Sequence, residues 1–245
     1  MHPRGTNSLV STLLYAMLAV FTIQTAAGMN YRGDTLTVVC FGNSTTAPRK
    51  NVEKVYPVRV GELLRQAGIP CKVYNEGIGG SHAGSLSDNA FHKVRHGMDR
   101  YRSSVLERKP DWVIISFGIN DSWQDKGPGT PSRLSLERFR ECLQTFIRSI
   151  DSIQGRTILM SPNPLGSRYE PFRHERLRQY RNACNRIARK TNVYRIDKWS
   201  LFKKAARRSG RDVDALLTDG MHPNDEGHRL MAEEIAGIII KKQKP

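Results

Sequence analysis

The chain has 245 residues, 38 % hydrophobic and 25 % charged, with 39 Lys and Arg against 23 Asp and Glu, for a formal net charge of +16. That length suits one α/β domain, or at most two small ones, and such a domain buries roughly three quarters of its unfolded surface, so its core needs neither disulfide nor metal. The four cysteines, Cys40, Cys71, Cys142 and Cys184, have no CxxC or metal-finger spacing, and the basic residues are spread over helical patterns such as Arg173–Lys190, which excludes the named nucleic-acid-binding motifs.

Residues 1–27 read as a signal peptide, with Arg4 as the positive end, the apolar run Leu13–Ile23, and the small-residue cleavage pattern Thr25–Ala27. The run is short for a membrane span of about 20 residues, although an uncleaved anchor is the alternative. The expected product is a secreted or periplasmic protein, with residues 28–245 as one domain and no membrane attachment after cleavage. For such a protein the excess positive charge fits either a solvated basic surface or an acidic polysaccharide partner, and no nucleic acid is expected. Export permits disulfides, but Cys40 falls in a predicted strand and Cys142 and Cys184 in predicted helices, so buried free thiols are an equal alternative.

In chain order, strands are expected at Leu36–Phe41, Cys71–Glu76, Trp112–Phe117, Thr157–Ser161 and Val193–Asp197, all short apolar or β-branched runs of the kind buried on both faces. Helical patterns lie between and after them, at Val55–Ala67, Met98–Glu107, Leu136–Ile153, His174–Thr191 and Pro223–Lys241. Strands separated by helices run parallel through right-handed crossovers, which gives a three-layer α/β/α sandwich on a sheet of about five strands.

Ligand chemistry on such a sheet sits beyond the carboxyl ends of the strands. The first strand ends in Gly42-Asn43-Ser44, the second in Asn75–Gly84, the third in Phe117–Trp123 and the fourth in Ser161–Gly166, while a later loop carries Asp219 and His222. A serine hydroxyl is a weak nucleophile at neutral pH and needs a base within reach. His222 suits that role, and Asp219, three residues earlier, can accept from its other ring nitrogen. The Ser44 amide, a glycine amide after the second strand and an asparagine side chain after the third can converge on an oxyanion.

The ordered blocks Gly-x-Ser, Asn-x-Gly-x-x-Gly, Gly-x-Asn-Asp and Asp-x-x-His-Pro resemble those of the SGNH, or GDSL-type, hydrolases, over nearly all of the chain from Leu36 to the last helix. The resemblance implies a flavodoxin-like sandwich, ester hydrolysis without metal or cofactor, Ser44 as nucleophile with Asp219 and His222, and an oxyanion hole of Ser44, Gly80 and Asn120. "APRK", "FGINDS", "SPNP" and "DGMHPNDEGHRL" look most like the secreted branch described as carbohydrate or acetyl esterases. One departure is Asn43, where the family has Asp. Asn keeps one carbonyl acceptor and loses the charge, which implies a reshaped loop with activity retained.

Asn43, Ser81, His82 and Trp123 are the further candidates for contact with substrate. Ser81 with His82 beside it is a rival Ser–His pair, but the second glycine of an elbow is missing and a histidine cannot easily turn back onto its neighbour. Trp123 reads equally as a sugar or acyl contact and as core, and Asp121 as a loop-ordering residue. Asp219, His222 and His228 make a poor metal set, since His228 lies nearly two helical turns beyond His222 with no third ligand. The sequons at Asn43 and Asn120 coincide with the proposed site and read as chance matches.

The expectation is a secreted serine ester hydrolase that removes a small acyl group, acetyl on a carbohydrate leading, with activity falling on the acid side of a pKa near 6.5, shifted by Asp219. The rivals are a lipid-directed esterase or lysophospholipase, which would need a wide apolar groove, and a non-catalytic carbohydrate-binding descendant.

Overall fold

In the computed structural model, which describes residues 34–243, five strands, β1 (Leu36–Gly42), β2 (Cys71–Gly77), β3 (Trp112–Ser116), β4 (Arg156–Met160) and β5 (Tyr194–Ile196), pair in parallel in the order β2-β1-β3-β4-β5. This is the flavodoxin-type order, with β1 and β3 diverging at the switch point where such sheets bind ligands.

Alternate residues of each strand point to opposite faces. Val38, Cys40, Trp112, Ile114, Ile158 and Met160 pack against helices α1 (Tyr56–Gln66), α5 (Lys198–Arg208) and α6 (Asp225–Gln243). On the other face Val39, Phe41, Val113, Ile115 and Leu159 meet α2 (Gly97–Ser104), α3 (Leu136–Ser152) and α4 (Pro171–Thr191). The result is the expected α/β/α sandwich. Phe146 of α3 meets Phe41 edge-on at 5.3 Å, and Phe41 meets Phe117 at 5.1 Å. Each such ring contributes about 1.5–3 kcal/mol by leaving water, so this face locks the carboxyl ends of β1 and β3 together.

Departures from the sequence reading have local causes. β1, β3 and β4 are buried on both faces, but β2 is only half-buried because it is an edge strand. α4 starts at Pro171, whose missing N–H is harmless in a first turn. α6 starts later than expected: Pro223 instead bridges Leu217, and Asn224 caps the helix by accepting from the Gly227 amide at 3.0 Å. α5 was not anticipated. Asp197, read as the last residue of a strand, is its cap and accepts from the Ser200 amide at 3.4 Å.

All four cysteines are free, and Cys40, Cys142 and Cys184 are buried, which pushes the Cys142 thiol up to about 12. The apolar run Leu13–Ile23 and the cleavage pattern lie outside the described residues. Among those residues no helix is long and apolar enough to cross a membrane.

Candidate active site

β1 ends at Gly42 and the chain turns sharply. The Asn43 carbonyl accepts from the amides of Thr46 and Ala47 at 3.0 and 3.1 Å. Its side-chain oxygen accepts from the Thr45 amide at 3.0 Å and the Thr45 hydroxyl at 2.9 Å. One carbonyl acceptor therefore suffices to brace the turn, which is how Asn serves at this position. Asn43 is 1 % exposed, so it offers no surface to a substrate or a glycan. The half-buried Ser44 sits at the tip of this turn. β2 approaches from the side: a Cβ on Gly77 would lie 2.2 Å from the Ala47 nitrogen, so only glycine lets the two loops meet.

Asp219 and His222 share a tight turn in the loop before α6. One Asp219 oxygen accepts from the His222 amide at 2.9 Å and the Met221 amide at 3.1 Å. The other lies 2.7 Å from His222 Nδ1, while His222 Nε2 lies 3.0 Å from Ser44 Oγ. Spacing of three residues thus lets one carboxylate organise the turn and orient the ring. The turn is anchored from below by Asn163 of the β4 loop, which donates to the Met221 carbonyl at 2.9 Å. Burial opposes ionisation of Asp219, but the hydrogen bonds from the His222 amide and ring outweigh it and hold the carboxyl below its ordinary range. His222 is also lowered: burial disfavours the imidazolium and the Arg49 cation adds to this, against the opposing pull of Asp219. A histidine so placed is neutral at pH 7 and able to accept a proton.

The third side is built from the β2 and β3 loops. Asn120, 9 % exposed, donates through Nδ2 to the Ser81 carbonyl at 2.9 Å, which fixes its amide and leaves a second N–H. Asp121 is fully buried and accepts from the Ala83 amide and the Gly118 amide, both at 2.7 Å, so it ties the two loops together as expected of a loop-ordering residue. Gly80 adopts φ +74°, a left-handed conformation that favours glycine. Among the described residues the amides of Ser44 and Gly80 donate to no other group.

Ser81 and His82 are placed differently from a cleft wall. Both side chains are buried within the β2 loop; Ser81 Oγ donates to the His82 carbonyl at 3.4 Å, and the His82 ring stacks on His96 at 3.6 Å. Trp123 is half-buried with the Arg173 guanidinium 4.0 Å from its ring centre. His228 is buried between α1 and α6, where its Nδ1 accepts from the Tyr56 amide at 3.1 Å.

Two arginines escaped sequence reasoning. Arg49, within the quoted "APRK", reaches Asp219 at 3.4 Å. Arg100 in α2, which reads as a surface residue, is 1 % exposed and donates to the carbonyls of Glu76 at 2.8 Å and Gly42 at 2.9 Å. It pins the ends of β2 and β1, from which the Gly80 loop and the Ser44 turn depart. No periodicity distinguishes a buried arginine of this kind from an exposed one.

Ester hydrolysis is chemistry that this grouping can support, and comparison with known proteins places the chain among esterases. The chain belongs to the GDSL-like lipase/acylhydrolase family, whose model matches residues 40–230, and it is an esterase of that family. Acetylxylan esterase from Geobacillus stearothermophilus is 29 % identical over 175 residues, covering 69 % of this chain and 74 % of that protein. A bovine (Bos taurus) homolog of isoamyl acetate-hydrolyzing esterase 1 is 30 % identical over 189 residues, covering 70 % of each. The crystal structure of a lipase/acylhydrolase from Enterococcus faecalis superposes with a TM-score of 0.67 at 27 % identity, over 86 % of this chain and 98 % of that one.

Proposed function

We propose that the protein is an exported serine esterase that removes acetyl groups from a carbohydrate through an acyl-enzyme. The observation that carries the mechanism is the continuous relay from Ser44 Oγ to His222 Nε2 at 3.0 Å and from Nδ1 to Asp219 at 2.7 Å. Ser44 Oγ attacks the ester carbonyl while neutral His222 takes its proton, and Asp219 steadies the imidazolium that forms. The carbonyl oxygen becomes an oxyanion held by the amides of Ser44 and Gly80 and the free N–H of Asn120. Each such donor typically contributes about a hundred- to a thousandfold in rate. The C–O bond then breaks, His222 returns its proton to the departing alcohol, and acetyl remains on Ser44. Water attacks the acyl-enzyme by the same steps, releasing acetate and restoring the serine.

Two arguments support the acyl group and the alcohol. The names of both relatives above specify acetate esters, on xylan in one and on isoamyl alcohol in the other. The charge of +16, with Arg49 and Arg168 both 3.4 Å from Asp219 atoms, suits an acidic polysaccharide. Export is supported by Arg4, the apolar run Leu13–Ile23 and the small residues after it.

The test is a panel of 4-nitrophenyl esters from acetyl to octanoyl, run beside acetylated xylan and acetylated pectin. Preference for acetyl with release of acetate from a glycan is the expected result. Preference for octanoyl points instead to a lipid-directed esterase. A protein that binds glycan but turns over no faster than its Ser44→Ala variant on any ester is a non-catalytic binder.

A further inference from the structure

The alcohol portion of the ester also needs a surface, and the loop after β2 carries one. Phe91 is 60 % exposed, the most open large apolar side chain among the described residues. Single exposed hydrophobics are ordinary, but this one is held in place. The Arg133 guanidinium lies 4.4 Å from its ring centre, and Arg133 is itself 9 % exposed and gripped by Asp125 through hydrogen bonds of 2.6, 2.9 and 3.1 Å. The Phe91 amide donates to Asn89 Oδ1 at 2.9 Å, which fixes the backbone beneath the ring.

Phe91 is also tied to the oxyanion side of the site. Its ring meets the His92 ring edge-on, with centres 5.0 Å apart at 86°. The His92 ring in turn lies against Gly80, where an added Cβ would come within 2.8 Å of His92 Cγ. One imidazole therefore separates Phe91 from the glycine whose amide is available to an oxyanion. Trp123, the other aromatic candidate near the site, is half-buried, with Arg173 4.0 Å over its ring and Tyr169 at 5.9 Å, so its ring is less open than that of Phe91.

We propose that Phe91 is the platform for a sugar ring in the alcohol portion of the substrate, and that His92 spaces this ring from the oxyanion glycine. The inference rests on the carbohydrate acetate reading given above. A pyranose presents one apolar C–H face with hydroxyls around its edge. Stacking that face on a fixed aromatic removes apolar surface of both from water, while the hydroxyls stay solvated. Because Arg133 and Asp125 already hold the ring in place, little conformational entropy is lost on binding.

Phe91→Ala and Phe91→Trp test it, with kcat/KM measured on acetylated xylo-, gluco- and manno-oligosaccharides and on ethyl acetate, whose alcohol has no ring. For whichever glycan the parent cleaves best, the ratio of its kcat/KM to that of ethyl acetate falls about tenfold in Phe91→Ala, mainly through KM, and stays within about twofold in Phe91→Trp. In a Ser44→Ala background, Phe91→Ala weakens the Kd for the same oligosaccharide by a similar factor, a readout independent of turnover. An unchanged ratio and Kd in Phe91→Ala overturn the platform and leave the carbohydrate reading standing. Hydrolysis of ethyl acetate but of none of the glycans by the parent overturns both.

Discussion

Among the described residues two serine–histidine pairs, Ser44 with His222 and Ser81 with His82, make opposite use of their neighbours. Ser44 and His222 are 178 residues apart and meet at 3.0 Å, each at the tip of a loop that other elements brace. Ser81 and His82 are adjacent, yet the serine donates to the histidine's main-chain carbonyl while the ring turns away to stack on His96 and meet the Asn89 carbonyl at 3.1 Å. Consecutive side chains diverge along an extended backbone, so adjacency in sequence works against contact. What the second pair supplies is a main-chain atom: the Ser81 carbonyl that orients Asn120. One region holds its polar side chains at an accessible surface, whereas the other buries them to stiffen the loop that carries Gly80.

The sharpest way to break this contrast is to delete each hydroxyl in turn. Ser44→Ala should lower kcat on 4-nitrophenyl acetate by about 10⁴–10⁶, whereas Ser81→Ala, which keeps the carbonyl, should change it by less than about threefold. Equal losses would erase the distinction. Asp219→Asn comes next, with kcat down by ~10³–10⁴ because the ring loses its orienting acceptor and the imidazolium its counter-charge. Asn120→Ala should cost about 10²–10³ in kcat with little change in KM, the pattern expected if its free N–H serves the proposed oxyanion hole and not the ground state.

The smallest effect is on pH. In the proposed mechanism His222 is neutral when it takes the proton, so activity should fall as pH drops through its pKa. Burial and Arg49 hold that pKa below the ordinary 6.5, which places the acid limb below the position expected from the sequence alone. Arg49→Met removes a cation that disfavours the imidazolium. The pKa should rise and the acid limb of kcat/KM should move to higher pH. Movement to lower pH would mean that Arg49 acts mainly by restraining Asp219.

How much of this was legible beforehand depends on whether a residue's role shows in local pattern. Ser44, Asn120, Asp219 and His222 stand where an apolar run ends or a turn begins, and four blocks in order pointed to them together. The strands were readable because each is a short apolar run between breakers. α5 was not, because its cap Asp197 follows directly on β5 and its few apolar residues blur into the strand pattern. Arg100 and Phe91 carry no periodic signal at all. A buried arginine and an exposed phenylalanine each contradict their usual placement, and only the fold shows which carbonyls or rings they meet.

The central claim is that Ser44 is the nucleophile that His222 activates. Labelling the intact protein with a phosphonofluoridate, followed by peptide mass analysis, tests it directly. One adduct is expected, on the peptide containing Ser44, absent from Ser44→Ala and formed much more slowly in His222→Ala. An adduct on Ser81, or equal labelling of the Ser44→Ala variant, would contradict it.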